Sequence, residues 1–286
     1  MAVISDISIV PFGSRPAQAA AYGTARTICD ADSCRAINLA VYTRAVEQGR
    51  RFELSATNDY HLVYVMHSRR NNFLHFVGET HDAEQGAGVL LAPGEAASFE
   101  ASAGGLELLH IAVPKPPAEI ENGLPGGPGY FFNRKTLRAL TDASGGRIRR
   151  FCAESSVKLR DGQRLTCTNA IQAGEMHYKE GGSSPYHMHL GTNANPKGAG
   201  HCYITFQGRG LVEVENESRE LSPDTLVYFP PGVPHRLRAY GGTLDYFEIQ
   251  AWRSFKTKIL SEEPEGLKWF YEPESPGGAL IDWNQS

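Results

Sequence analysis

The sequence predicts an all-β chain made of two similar halves, with only a few short helices. Three observations carry this. Short apolar runs rich in Val, Leu, Ile, Tyr and Phe recur at roughly 8–12-residue spacing with turn residues between them, the rhythm of a sandwich or barrel. Residues 114–130, Pro-Lys-Pro-Pro-Ala-Glu-Ile-Glu-Asn-Gly-Leu-Pro-Gly-Gly-Pro-Gly-Tyr, are dense in proline and glycine and read as a linker. Two phrases of the first half return in the second: His61-Leu-Val-Tyr-Val-Met-His67 as His201-Cys-Tyr-Ile-Thr-Phe-Gln207, and Val89-Leu-Leu-Ala-Pro-Gly94 as Leu226-Val-Tyr-Phe-Pro-Pro-Gly232 with one gap. The offsets are 140 and 138 residues, and two phrases at nearly one offset indicate an internal duplication.

Taken in order, residues 1–36 are mixed, and Gly13, Pro16 and Gly23 interrupt any long helix. Residues 36–44 alternate, 52–54 continue the pattern, and 60–66 read as a buried strand. Further strand-like runs lie at 73–77, 88–92 and 106–113. After the linker, residues 133–141 have the polarity of a short helix with Asn133 as its cap. The β rhythm returns at 151–159, 164–172, 175–178, 201–206, 210–214, 225–229 and 244–252. The final stretch holds Pro264, Pro273 and Pro276 and is expected to wrap the surface. The expected division is residues 1–113, a linker at 114–130, and residues 131–286.

Composition narrows the function classes. A hydrophobic content of 41% supplies a sizeable core, and a net charge of -4 without a basic footprint argues against a nucleic-acid partner. No apolar run approaches the ~20 residues that span a bilayer. Asp6 and the lack of a basic start argue against a secretory signal. Five cysteines (Cys29, Cys34, Cys152, Cys167 and Cys202) are odd in number and scattered, which suits reduced thiols in a cytoplasm. Cys29-x4-Cys34 lacks a second pair to complete a zinc site.

The chemistry concentrates between residues 181 and 235. His187 and His189 are two apart, so on a strand both imidazoles point to one face. His201 and His235 follow, the latter in Pro230-Pro231-Gly232-Val233-Pro234-His235. Neutral imidazoles on a rigid surface are what a first-row divalent metal needs.

These residues resemble the cupin superfamily. Its first motif is Gly-x5-His-x-His, a short gap, Glu, six residues and Gly. Gly181 stands five residues before His187-Met188-His189, and His201 stands six before Gly208. The second motif, Gly-x5-Pro-x-Gly-x2-His-x3-Asn, is matched at Pro230, Gly232 and His235, with Asp224 and Ala239 replacing its first and last residues. The resemblance implies two tandem jelly-roll barrels, a metal site in the second, and His187, His189, His201 and His235 as its ligands. Two departures stand out. His201 takes the place of the usual glutamate, and the gap before it is eleven residues, making residues 190–200 a candidate rim or lid. In the first half Ser55-Ala56-Thr57 lies where His-x-His is expected, Ala97 replaces the second-motif histidine, and only His61 remains. One imidazole does not hold a divalent ion, so that half is expected to be metal-free and to serve structure, dimerisation or closure.

Four neutral imidazoles leave the divalent charge uncompensated, which favours a small anionic or chelating substrate such as an enolate, carboxylate or catecholate. Iron(II) suits dioxygen activation, while manganese, nickel, copper or zinc remain compatible with the ligands. The expectation is an iron(II) dioxygenase on a small organic acid, diketone or phenolic. The alternatives are a metal-dependent isomerase, lyase or cyclase, or a non-catalytic small-ligand-binding cupin. Tyr203, Glu175 and Lys197 are the candidate catalytic residues, among nearby polar groups that also include Tyr186, His177, Arg164, Arg236 and Glu248.

Overall fold

The computed structural model describes residues 3–69, 71–102, 104–121, 128–137, 140–141, 147–152, 170–193, 195–252 and 255–260. In chain order the strands are β1 (Ser8–Pro11), β2 (Gln18–Ala20), β3 (Gly23–Cys29), β4 (Ala40–Val46), β5 (Arg50–Leu54), β6 (Asp59–Ser68) and β7 (Phe73–Phe76). They continue as β8 (Glu79–Asp82), β9 (Ala87–Leu91), β10 (Ala97–Ala101), β11 (Leu106–Pro114), β12 (Tyr130–Asn133), β13 (Leu140–Thr141) and β14 (Arg147–Cys152). The last are β15 (Ile171–Tyr178), β16 (His187–Gly191), β17 (Gly200–Val214), β18 (Glu217–Leu221), β19 (Thr225–Phe229), β20 (Arg236–Ala251) and β21 (Phe255–Ile259). The α-helices among the described residues, α1 (Ala31–Cys34) and α2 (Ala118–Glu121), are single turns. The all-β expectation holds.

The chain forms two compact units. The N-terminal unit comprises Phe12–Lys115 and Gly126–Arg138; the C-terminal unit comprises Met1–Pro11, Pro116–Pro125 and Ala139–Ser286. In the N-terminal unit one sheet runs β12-β9-β6-β11-β4-β3-β2 and a second β5-β10-β7-β8. In the C-terminal unit a sheet runs β1-β19-β17-β20-β15-β14-β13, with β18 also on β17, and β16 pairs with β21. Four strands keep one order in both, β9-β6-β11-β4 and β19-β17-β20-β15, and their pairings are antiparallel. The register repeats too. His61 pairs with Leu91 and Ala112 as His201 pairs with Phe229 and Gln250.

The contacts depart from a division at residues 113 and 131. Ser8–Pro11 pairs with β19, and Tyr130–Asn133 pairs with β9, so each terminal strand completes a sheet beyond the expected boundary. The linker is also not wholly irregular, since α2 lies within it. The helix expected at 133–141 is replaced by the end of β12, a turn, and β13. Asn133 does act as a cap, accepting the Lys135 amide at 2.9 Å, but it caps a turn because the residues before it are held in the β9 ladder. Of the final stretch, residues 261–286 lie outside the described residues.

Each unit has its own core. In the C-terminal unit Met176, Tyr178, Tyr203, Val227, Phe229, Leu237, Leu244 and Tyr246 are buried together. In the N-terminal unit Val63, Val65, Leu74, Val89, Leu91, Phe99 and Leu108 do the same. A fully buried Val, Leu or Phe contributes about 1.5–3 kcal/mol, so alternate residues along β6 and β17 fix which face points inward. Gly208, the last residue of the first motif, has φ +80° where the β17–β20 ladder shifts register, and a Cβ there would lie 1.8 Å from the Thr243 carbonyl oxygen. Only glycine fits that bulge.

Candidate metal centre

Two strands and one turn bring the four histidines together. His187 and His189 share a face of β16, His201 is the second residue of β17, and His235 ends the turn that precedes β20. The backbone fastens the two motifs to each other. The His187 amide donates to the His235 carbonyl at 3.0 Å and the His235 amide returns the bond at 2.8 Å. Gly232, at φ +82°, donates its amide to the His189 carbonyl at 2.7 Å. The ring of His235 stacks on Phe229, centroids 3.9 Å apart, which fixes its orientation.

One ring nitrogen from each histidine lies within 4.8 Å of the corresponding atom of the other three. All four are buried, at 1%, 3%, 1% and 1% exposure for His187, His189, His201 and His235. Their tautomers can be read for two of them. Nδ1 of His187 is 2.8 Å from the Pro185 carbonyl oxygen, and Nδ1 of His235 is 2.8 Å from that of Val233. A carbonyl only accepts, so both Nδ1 atoms carry the proton and both Nε2 atoms offer a lone pair. Among the described residues, Nε2 of His235 and Nδ1 of His201 make no hydrogen bond despite burial. A buried polar atom without a partner costs about 1–3 kcal/mol. A divalent cation among these lone pairs would remove that cost, and the donor set fits one.

Electrostatics agree. Burial pushes the His187 imidazole down to about 4, with the neighbouring His201 adding to the effect. Burial, then His187 and His201, holds His235 well below the usual histidine range. Both are neutral at pH 7, the state in which an imidazole binds metal.

Of the residues singled out as catalytic, only Tyr203 joins the cluster. Its ring centroid is 4.7 Å from that of His201, and it is buried. Glu175 lies between Gly174 and Met176 on β15, and Met176 faces the core with Tyr203. Successive strand residues point to opposite faces, so Glu175 projects away from the histidines. Lys197 is exposed on the loop before β17 rather than buried with them. That loop is anchored by Asn195, buried at 2% exposure, whose amide donates to the carbonyls of Gly198 and Trp252 at 2.8 and 3.2 Å. His177 pairs with Asp245 at 2.7 Å and Arg236 with Glu213, while Tyr186 accepts the Glu215 amide. Arg164 lies outside the described residues.

Glu248 is the residue that the sequence reading undervalued. It is 3% exposed, and its Oε1 lies 3.5 Å from Nε2 of His201 and 3.3 Å from the Gln250 amide nitrogen, which donates to it. A buried carboxyl group therefore stands beside the cluster, so a divalent ion held there would have an acidic side chain close by as well as four neutral imidazoles. The signal was present in the repeat: His110 and Glu248 are separated by 138 residues, one of the two repeat offsets.

The N-terminal unit uses the equivalent positions differently. Gly94 donates to the Thr57 carbonyl at 2.8 Å as Gly232 does to His189, so Thr57 stands where His189 does. Its hydroxyl is 2.7 Å from Nε2 of His61, Nδ1 of His61 is 3.0 Å from Nε2 of His110, and Arg44 Nε donates to Nδ1 of His110 at 3.1 Å. Arginine only donates, so protons are ordered along the chain from Arg44 through His110 and His61 to Thr57. Both ring nitrogens of His61 are thus engaged in hydrogen bonds.

The family model for the cupin domain matches residues 174–249, a span that holds all four histidines and Glu248. No curated protein sequence matches the chain. Among solved structures, a Pseudomonas aeruginosa protein named as glyoxylate-induced is similar with a TM-score of 0.67 and 14% identity, over 86% of this chain and 88% of that one. A mutant of Bacillus subtilis oxalate decarboxylase is similar with a TM-score of 0.63 and 14% identity, over 88% and 79%. Lactobacillus farciminis oxalate decarboxylase, in complex with formate, gives a TM-score of 0.63 and 14% identity over 88% of both chains. At such identities the likeness is one of fold. With the motif match and the buried histidines, residues 174–249 are a cupin domain.

Proposed function

We propose that the chain is a mononuclear metal-dependent enzyme acting on a small organic acid, diketone or phenolic that binds as an anion or chelate. The observation that supports this best is the buried cluster of His187, His189, His201 and His235, in which two imidazoles have their Nε2 lone pairs directed by carbonyl acceptors on the far nitrogen. The first reading is an iron(II) dioxygenase, where the metal would bring dioxygen and substrate together as a redox centre. Around it, the protein's part is to hold the imidazoles neutral, exclude water with Phe229, Tyr203 and Tyr246, and present the Glu248 carboxylate to the substrate. Gln250 orients that carboxylate through its amide.

Glu248 also supports a second reading. A buried carboxylate beside a Lewis-acid site can take or return a proton at its Oε1, which is what an isomerase, lyase or decarboxylation step uses without dioxygen. Bacillus subtilis oxalate decarboxylase, a structural neighbour described with Mn(II) centres, is a case of a carboxylate substrate on this fold. A cytoplasmic setting and a homodimer are further parts of the proposal, the latter checked by the mass in solution.

The deciding experiment is metal analysis followed by a substrate screen on protein reloaded with iron(II) or manganese(II), with oxygen consumption recorded. Uptake of dioxygen that tracks turnover supports the first reading. Turnover under strict anaerobiosis selects the second. Protein without stoichiometric metal, whose His187→Ala variant changes only stability, would leave a non-catalytic binding cupin.

A further inference from the structure

The Cys29–Cys34 motif, which joins no metal-ligating group among the described residues, has its own chemistry in the N-terminal unit. Cys29 ends β3 and Cys34 ends α1, and the four residues between them form a turn capped by Asp30, whose carboxylate accepts the Ser33 amide at 2.8 Å. The turn folds the Cys34 sulfur back onto the end of β3, where it donates to the Ile28 carbonyl at 3.8 Å and lies beside the Cys29 side chain. That sulfur is also 3.7 Å from the Ser33 hydroxyl and 3.8 Å from Nη2 of Arg15. The Ser33 hydroxyl gives its proton to the Asp30 carboxylate at 2.6 Å, so the guanidinium of Arg15 is the cationic donor that favours a thiolate at Cys34. The Cys29 side chain first, then Ser33 and the charge of Arg15, bring the Cys34 thiol down to about 6 against the pull of burial. Both cysteines are thiols in this structure; Cys34 is 5% exposed, between the exposed residues Ser33 and Arg35, and Cys29 is fully buried.

We propose that Cys34 and Cys29 form a peroxide-sensitive thiol pair, with Cys34 as the attacking thiolate and Cys29 as the resolving thiol. The Cys34 sulfur attacks one oxygen of hydrogen peroxide, the O–O bond breaks, and hydroxide leaves with a proton from solvent as water, giving the sulfenic acid. The Cys29 sulfur then attacks the Cys34 sulfur, forming the S–S bond and breaking the S–O bond, and a second water departs with the Cys29 proton. Two thiols are oxidised and one peroxide is reduced to two waters. The disulfide would close the short loop joining β3 to β4, and a dithiol reductant reopens it.

Trypsin cleaves after Arg26 and Arg35, so residues 27–35 carry both cysteines in one peptide. The full-length protein is treated with hydrogen peroxide, alkylated, digested and weighed. The expected result is a peptide about 2 Da below its dithiol mass, unalkylated, restored to the doubly alkylated form by prior reduction. Peroxide-treated Cys29→Ser protein should retain a Cys34 sulfenic acid that dimedone traps, whereas Cys34→Ser should leave Cys29 unreacted. Two alkylated thiols in peroxide-treated wild-type protein, or oxidation that begins at Cys29 in the Cys34→Ser variant, would overturn the proposal. The wild-type measurement decides it even if a variant does not fold.

Discussion

Nε2 of His201 lies 3.5 Å from Oε1 of Glu248, and the equivalent positions of the N-terminal unit, His61 and His110, meet at 3.0 Å. In both units the second residue projects from a strand paired with the one that bears the histidine, opposite Tyr203 in one and Val63 in the other. Each unit therefore has a contact at the equivalent positions with its own chemistry, a carboxyl group beside an imidazole of the cluster in one and a hydrogen-bonded pair of histidines in the other.

Glu248→Gln keeps the shape and the Gln250 neighbour but removes the proton-accepting carboxylate. We expect metal content close to that of the wild type and a fall in kcat of about 10²–10⁴-fold. Metal analysis beside steady-state kinetics reads both. Loss of the metal in this variant would instead make Glu248 a ligand.

His187→Ala removes one donor and the antiparallel partner ring of His235. The variant should not retain stoichiometric metal. A ligand at 1,000 times its dissociation constant stabilises a fold by about 4 kcal/mol, so wild-type protein should melt lower once a chelator is added, and the variant should not respond. Thermal unfolding with and without chelator tests this; equal responses would show that His187 does not bind the metal.

Arg44 heads the ordered chain through His110 and His61 and packs over Tyr42 and Phe52, its guanidinium carbon 4.9 Å from each ring centroid. Arg44→Leu leaves the His110 Nδ1 acceptor buried without its donor. A loss of about 2 kcal/mol is expected, with metal content unchanged because the chain lies in the other unit. A urea unfolding series measures it, and loss of metal together with stability would contradict the separation of the two devices.

Acid should destabilise the metal-free protein. Burial lowers His61, and burial followed by the Arg44 charge holds His110 well below 6.5; burial likewise lowers His187 and His235. Their folded values lie below the unfolded one, so the unfolded chain takes up the protons first. The stability they contribute is present above pH 6.5 and is lost as pH falls toward the folded values, by about 1.4 kcal/mol per pH unit for each histidine held neutral. Urea midpoints at pH 7.5, 6 and 5 should decline in that order; a flat series would mean that these histidines are solvated in solution.

Much of this was legible without coordinates. The His-x-His spacing, the Pro230-to-His235 phrase and the two repeat offsets are local patterns, and each corresponds to a local feature: one strand face, one turn, one repeated ladder. Glu175 and Lys197 were plausible on nearness in sequence alone. Parity along β15 turned the first away, and the second sits on an exposed loop that Asn195 anchors.

By itself, then, the sequence determined the all-β class, the repeated phrases and the His187, His189 and His235 motif positions, because hydrophobic period, turn residues and motif spacing are properties of neighbouring residues. Only the tertiary structure decided that His201 belongs with the other three histidines across an eleven-residue loop, that Glu248 stands beside it, and that Ser8–Pro11 and Tyr130–Asn133 complete sheets beyond the expected boundary. Those relationships join residues dozens to hundreds of positions apart. They are set by strand register, in which a slip of one residue would turn every side chain to the opposite face.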